Sequence, residues 1–98
     1  MEGEVQRIGQ RNFKLPIQIA PEQRGRIREV VLYISNDQGK NWQRLASQAP
    51  DADFFTVTVP RDGLYWFNVA TIDAANQQRP AQIEQQAPTL KVLVQRGG

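Results

Sequence analysis

The sequence contains no cysteine and no histidine. Disulfide bonds are therefore excluded, and so is a zinc site built from Cys and His ligands. The usual general base of enzymes and their thiol nucleophile are missing as well. The carboxylates of Asp37, Asp51 and Asp53 would offer calcium one or two oxygen ligands, where about six are needed. We therefore expect no enzyme: no catalytic residue, no metal site and no cofactor.

Long apolar runs are also missing, since none approaches the roughly 20 residues of a membrane span. Met1 leads directly into Glu2 and Gly3, which does not resemble a signal peptide. The formal net charge of +2 is too small to indicate nucleic-acid binding. We expect no membrane insertion and no nucleic-acid partner.

The 98 residues, 40% of them hydrophobic, suffice for one core. We expect residues 1–98 to form a single domain cut from a larger protein. An exported domain without disulfides fits a bacterial source better than an animal cell surface. The expected location is extracytoplasmic, in the periplasm or at the cell surface.

Apolar side chains at every second position predict half-buried strands. Four segments show this alternation, and they begin at Phe13, Phe55, Tyr65 and Leu90. Residues 30–34 are apolar on both faces, as in a central strand, and the pattern leaves open which face is inward. With residues 5–8 and 42–45 the total is about seven strands, which predicts an all-β sandwich. Pro16 lacks an N–H and places its strand near a sheet edge.

Residues 57–73 carry a family resemblance. A turn that contains Pro60 and Gly63 leads into Tyr65, and an alternating strand follows. This segment resembles the E–F corner and the F strand of fibronectin type III and related immunoglobulin-like domains. The resemblance implies an immunoglobulin-like (fibronectin type III-like) β-sandwich with a Greek key, and it assigns Tyr65 to the tyrosine corner. Trp66 then faces outward or packs under a covering segment.

A second resemblance is a hairpin of the form Ser-x-Asp-x-Gly-x-x-Trp at Ser35, Asp37, Gly39 and Trp42. It is similar to the Asp-box repeated in sialidase-type β-propellers, and single copies occur in bacterial immunoglobulin-like modules. The resemblance implies a structural role: the Ser and Asp side chains bond the turn, the Gly takes a positive φ, and the Trp folds back over the hairpin. We also expect Trp42 to belong to the core. A propeller enzyme would need several copies.

Polar loops carry the expected partner surface. Arg24, Arg26 and Arg28 alternate, so on an extended segment they would line one face. We expect a mildly basic surface of Arg24, Arg26, Asn76 and Arg79 for an unknown protein or glycan. The predicted function is a non-catalytic spacer or interaction module that also contacts neighbouring domains of its parent chain. The alternative is an accessory carbohydrate-binding domain of a glycan-acting, sialidase-like enzyme.

Overall fold

The computed structural model describes residues 5–17, 19, 21–83 and 86–95, which form an all-β protein of eight strands with one helical turn. The strands are β1 (Val5–Ile8), β2 (Asn12–Pro16), β3 (Ile27–Ser35), β4 (Gln43–Gln48), β5 (Phe54–Thr58), β6 (Gly63–Asp73), β7 (Gln78–Arg79) and β8 (Leu90–Val94). The helical turn, α1, spans Pro21–Arg24. Met1, Glu2 and Gly3, on which the signal-peptide expectation depends, lie outside the described residues.

The strands form two sheets. The larger has the order β1-β8-β6-β3-β4, with β7 paired to one end of β6, and the smaller consists of β2 and β5. Neighbouring strands are antiparallel except β1, which runs parallel to β8. The chain passes between the sheets before β2, before β3, before β5 and before β6. Pro16 lies in β2, which pairs only with β5 among the described strands, so the missing N–H is accommodated at an edge.

The core lies between the two sheets. Leu32 pairs with Val69 and Ile34 pairs with Phe67, so these side chains share the inner face of the larger sheet. The rings of Phe13 and Phe67 meet edge to face across the sheets, with centroids 6.1 Å apart. The buried core cluster is Leu15, Ile17, Val30, Leu32, Phe55, Val57, Val59, Tyr65, Phe67, Val92 and Val94. Each such large side chain contributes roughly 1.5–3 kcal/mol through its burial.

The outer face of the larger sheet is also partly buried. Val31 and Ala70 pair there and are both fully covered. The backbone N–H and the hydroxyl of Thr89 each donate to Asn68 Oδ1, at 3.0 Å. Ile83, in the segment after β7, is buried outside the core cluster. Thr89 is therefore held to this face by Asn68, and burial of Val31 here and of Leu32 in the core accounts for the apolar residues on both sides of β3.

The elements differ from the sequence-based prediction in two places. The eighth strand is β7, whose two residues are too polar to show alternation. The segment predicted as a loop after β2 contains α1, where the N–H of Arg26 donates to Gln23 O at 3.0 Å. Arg24 therefore ends a helical turn, Arg26 lies in the following turn, and Arg28 lies in β3. The segment is not extended, so the condition under which these three arginines would line one face is not met.

Candidate functional site

One end of the sandwich is formed where Ile27 of β3 pairs with Asp73 of β6. Two connections meet there: α1 with the turn that follows it, and the tight turn between β6 and β7. Asp73 organises the second turn, because its Oδ1 accepts from the N–H groups of Ala75 and Gln77, both at 2.9 Å. Asn76 takes a φ of 67° in this turn, a conformation that Asn tolerates better than most residues.

A groove of about 340 Å³ opens between these two connections. Its polar lining consists of two arginines (Arg26, Arg79), one carboxylate (Asp73), one hydroxyl (Thr71) and two amides (Gln23, Gln77). Arg79 pairs with Thr71 across β6 and β7, so both side chains project from the same face of the sheet. We call this feature the arginine groove.

The four residues predicted as a partner surface have different positions. Arg26 and Arg79 both line the arginine groove. Asn76 lies in the neighbouring turn, where its Oδ1 accepts a hydrogen bond from Arg28 Nη2. Arg24 does not line the groove, and its Nε is shielded from solvent without a hydrogen-bond partner in the described part of the chain. The structure thus brings together Arg26 and Arg79, while Asn76 is bonded to Arg28 outside the groove.

Among the described residues, the arginines of the groove have no ion-pair partner. The described residues contain two salt bridges, Arg11 with Asp62 and Arg44 with Glu29, and neither involves Arg26 or Arg79. No side-chain hydrogen bond engages either guanidinium within these residues. Their donors are therefore available to a ligand.

Sequence reasoning missed Gln23 and Thr71. Gln23 looked like an ordinary polar loop residue, and it reaches the groove because α1 turns the chain. Thr71 continues the alternation of β6 beyond its last core residue. Its contact with Arg79 depends on the pairing of β6 with β7, for which the sequence carries no local signal.

The residues of the predicted hairpin, 35–42, make a closed set of hydrogen bonds, and we call this segment the Asp37 hairpin. Ser35 Oγ donates to Asp37 Oδ1 at 2.7 Å and accepts from the N–H of Gly39 at 2.9 Å. Asn41 donates to Asp37 twice, from its backbone N–H to Oδ1 at 2.9 Å and from Nδ2 to Oδ2 at 2.7 Å. The side chains of Ser35 and Asp37 are thus engaged inside the turn. Asn41 was not predicted to take part.

These hydrogen bonds also perturb the acidity of Asp37. The side-chain amide of Asn41, its backbone N–H and the Ser35 hydroxyl all favour the carboxylate, and they lower the pKa of Asp37 from 3.8 to about 2. The carboxylate is therefore charged at every physiological pH. No group of three or more acidic, His or Cys side chains that could hold a metal ion occurs among the described residues.

The two tryptophans are both half-buried and both lie close to Gly39 of the hairpin. Trp42 is half-buried and lies outside the core cluster, so the expectation that it joins the core is wrong. Trp66, opposite Ser35 in the larger sheet, packs against Gly39 of the hairpin. Lys91 Nζ lies 4.6 Å from the centroid of the Trp66 ring, a cation–π contact. Trp66 is thus half-buried and packs under the hairpin and Lys91, which is the second of the two positions expected for it.

Tyr65 begins the part of β6 that enters the core. Its ring is 4% exposed, and its hydroxyl donates to the backbone carbonyl of Arg61 at 2.8 Å. This hydrogen bond ties β6 to the turn that precedes it. Arg61 lies at the end of the sandwich where Gly63 pairs with Val94, opposite to the arginine groove.

No protein-family model, no curated protein and no solved structure matches this chain. Within the part of the chain that the structure describes, no helix combines the length and the apolar character that crossing a membrane requires.

Proposed function

We propose that this chain is an immunoglobulin-like, fibronectin type III-like domain with a Greek-key path. The supporting features are the order β8-β6-β3-β4 opposite β2-β5, the parallel pairing of β1 with β8, and the hydrogen bond from Tyr65 to Arg61 O. In this assignment β2, β3, β5, β6 and β8 are strands B, C, E, F and G, and Tyr65 is the tyrosine corner. β7 is an addition within the F–G connection.

The domain acts, in this proposal, as a non-catalytic interaction module of a larger exported bacterial protein. The observation that carries the proposal is the arginine groove, in which two guanidiniums without an ion-pair partner among the described residues lie at one end of a two-sheet frame. Binding residues commonly occupy loops positioned in this way. Neighbouring domains of the parent chain would set the distance at which the groove is presented.

The Asp37 hairpin has a structural role in this proposal, as an Asp-box does. Both Asp37 carboxylate oxygens and the Ser35 hydroxyl are engaged within the turn, which leaves them little capacity for a ligand. Gly39 and Trp66 connect the turn to the larger sheet. The hairpin therefore stabilises the end of the sandwich opposite to the arginine groove.

The experiment combines an activity screen with a binding screen on the domain of residues 1–98. We expect no turnover of glycoside, ester or peptide substrates. We also expect retention of a protein partner on immobilised domain, and loss of that partner when Arg26 and Arg79 are both replaced by Gln. Turnover abolished by replacement of a single carboxylate would overturn the proposal. Binding on a glycan array that requires Arg26 and Arg79 would favour the accessory carbohydrate-binding role instead.

A further inference from the structure

The charge and the lining residues of the arginine groove favour one class of partner over others. We infer that its occupant is an acidic segment of polypeptide, whose carboxylates bind Arg26 and Arg79. This assignment rests on the proposed function, because it names the partner class for the same surface.

The charge of the groove favours an anion. Two guanidiniums face one carboxylate, and Asp73 already accepts two backbone hydrogen bonds through Oδ1. Asp51 and Asp53 stand on the β4–β5 connection and do not line the groove. Arginine binds a carboxylate through two parallel N–H···O bonds, so each guanidinium can hold one Glu or Asp side chain.

The remaining lining favours a peptide over a sugar. Among the described residues that line the groove there is no aromatic ring on which a pyranose could stack. The amides of Gln23 and Gln77 and the hydroxyl of Thr71 both donate and accept, which suits a peptide backbone and sugar hydroxyls alike, so the missing ring is what favours the peptide. A volume of about 340 Å³ accommodates a few side chains, not a globular surface.

A nucleic acid fits the groove less well than an acidic peptide. Tight binding of a phosphate backbone uses many cationic contacts, commonly about 6–10 of them. The groove offers two arginines, and the whole chain has a net charge of +2. A short acidic segment needs only the two carboxylates that these arginines can bind.

The experiment titrates the ¹⁵N-labelled domain with hexaglutamate whose termini are acetylated and amidated and, in parallel, with hexagalacturonate, which carries the same six carboxylates on sugar rings. The variants are Arg26→Gln, Arg79→Gln and the matched control Arg61→Gln, which removes the same charge at the opposite end. We expect hexaglutamate to shift the amide signals of residues 71–79 and to bind more tightly than hexagalacturonate. Each groove variant should weaken that binding about fivefold, and Arg61→Gln should leave it unchanged.

Three outcomes would overturn the assignment. Hexagalacturonate that binds as tightly as hexaglutamate would reject a peptide as the preferred occupant. Equal weakening by all three variants would show a diffuse charge effect instead of a groove. Absence of hexaglutamate binding at millimolar concentration would reject the acidic partner, while a partner retained on immobilised domain would keep the proposed function. The amide spectrum of each variant reports directly whether the domain is folded.

Discussion

Gly39 lies against the indole ring of Trp66, so closely that a Cβ atom added to the glycine would stand 2.9 Å from Cζ3 and 3.1 Å from Cε3 of the ring. The same glycine has a φ of 88°, which L side chains rarely adopt. The Asp37 hairpin therefore uses glycine for two reasons, a turn conformation and a close approach. Trp66 comes from β6, far along the chain, so the contact connects a local turn to the larger sheet.

Replacing Gly39 with Ala should destabilise the domain by about 2–4 kcal/mol, since backbone strain and displacement of the Trp66 ring add. Substitutions at two other glycines distinguish the cost of backbone strain from the cost of displacing the Trp66 ring. Gly63 has a φ of 150° with no atom within 4 Å of an added Cβ, and Gly25 has neither constraint. Denaturant unfolding should rank the losses Gly39→Ala above Gly63→Ala above Gly25→Ala. A loss at Gly39 no larger than that at Gly63 would argue against the ring contact.

Tyr65→Phe should cost about 1–2 kcal/mol, because it removes the hydrogen bond to Arg61 O and leaves that carbonyl without its partner. The ring, and with it the core packing, stays. Tyr33→Phe is the matched control: it removes a hydroxyl that donates to Gln78 Oε1 at 3.0 Å, on a half-buried residue. Unfolding midpoints should fall further for Tyr65→Phe. Equal shifts of the two midpoints would show that the hydrogen bond from Tyr65 contributes no more to stability than the one from Tyr33.

Trp66→Ala should destabilise the domain by about 3 kcal/mol or more, through loss of a large packed side chain. The removed ring contacts Gly39 and lies beneath Lys91. Trp42→Ala should cost less, because Trp42 lies outside the core cluster. Thermal unfolding of both variants checks the order. A larger loss for Trp42→Ala would restore the role that the hairpin pattern alone assigned to it.

Acid should remove the contribution of the Asp37 carboxylate to the stability of the folded state. Its pKa in the folded protein is about 2, below the ordinary 3.8, so the carboxylate stabilises the folded state above about pH 4 and loses this effect as the pH falls toward 2. The unfolding midpoint of the native protein should therefore fall across this window relative to that of Asp37→Asn. Asp51→Asn, which removes an exposed carboxylate elsewhere, should follow the native protein. Parallel curves for Asp37→Asn and the native protein would contradict the lowered pKa.

Local pattern was sufficient to predict several elements. The alternation from Phe13, from Phe55 and from Leu90 corresponds to β2, β5 and β8, because a strand half-covered by a second sheet must alternate. The residues of the Asp37 hairpin were also identified locally, since Ser35 and Asp37 bond groups two to four positions away. The arginine groove was predicted only in part. Both of its arginines were predicted to belong to a partner surface, but the connections that bring them together were not predicted.

The sequence by itself determined the all-β character and the period-two strands, because each depends on neighbours within a few residues. The tertiary structure decided what lies far apart in the chain. Val31 is fully buried although it lies on the outer face of the larger sheet, and no alternation reports burial of both faces of one strand. Trp66 packs beneath the hairpin because β3 and β6 pair with Ser35 opposite Trp66, and Trp42 lies outside the core cluster. Arg26 and Arg79 share one groove because α1 and the pairing of β6 with β7 place them at the same end of the sandwich.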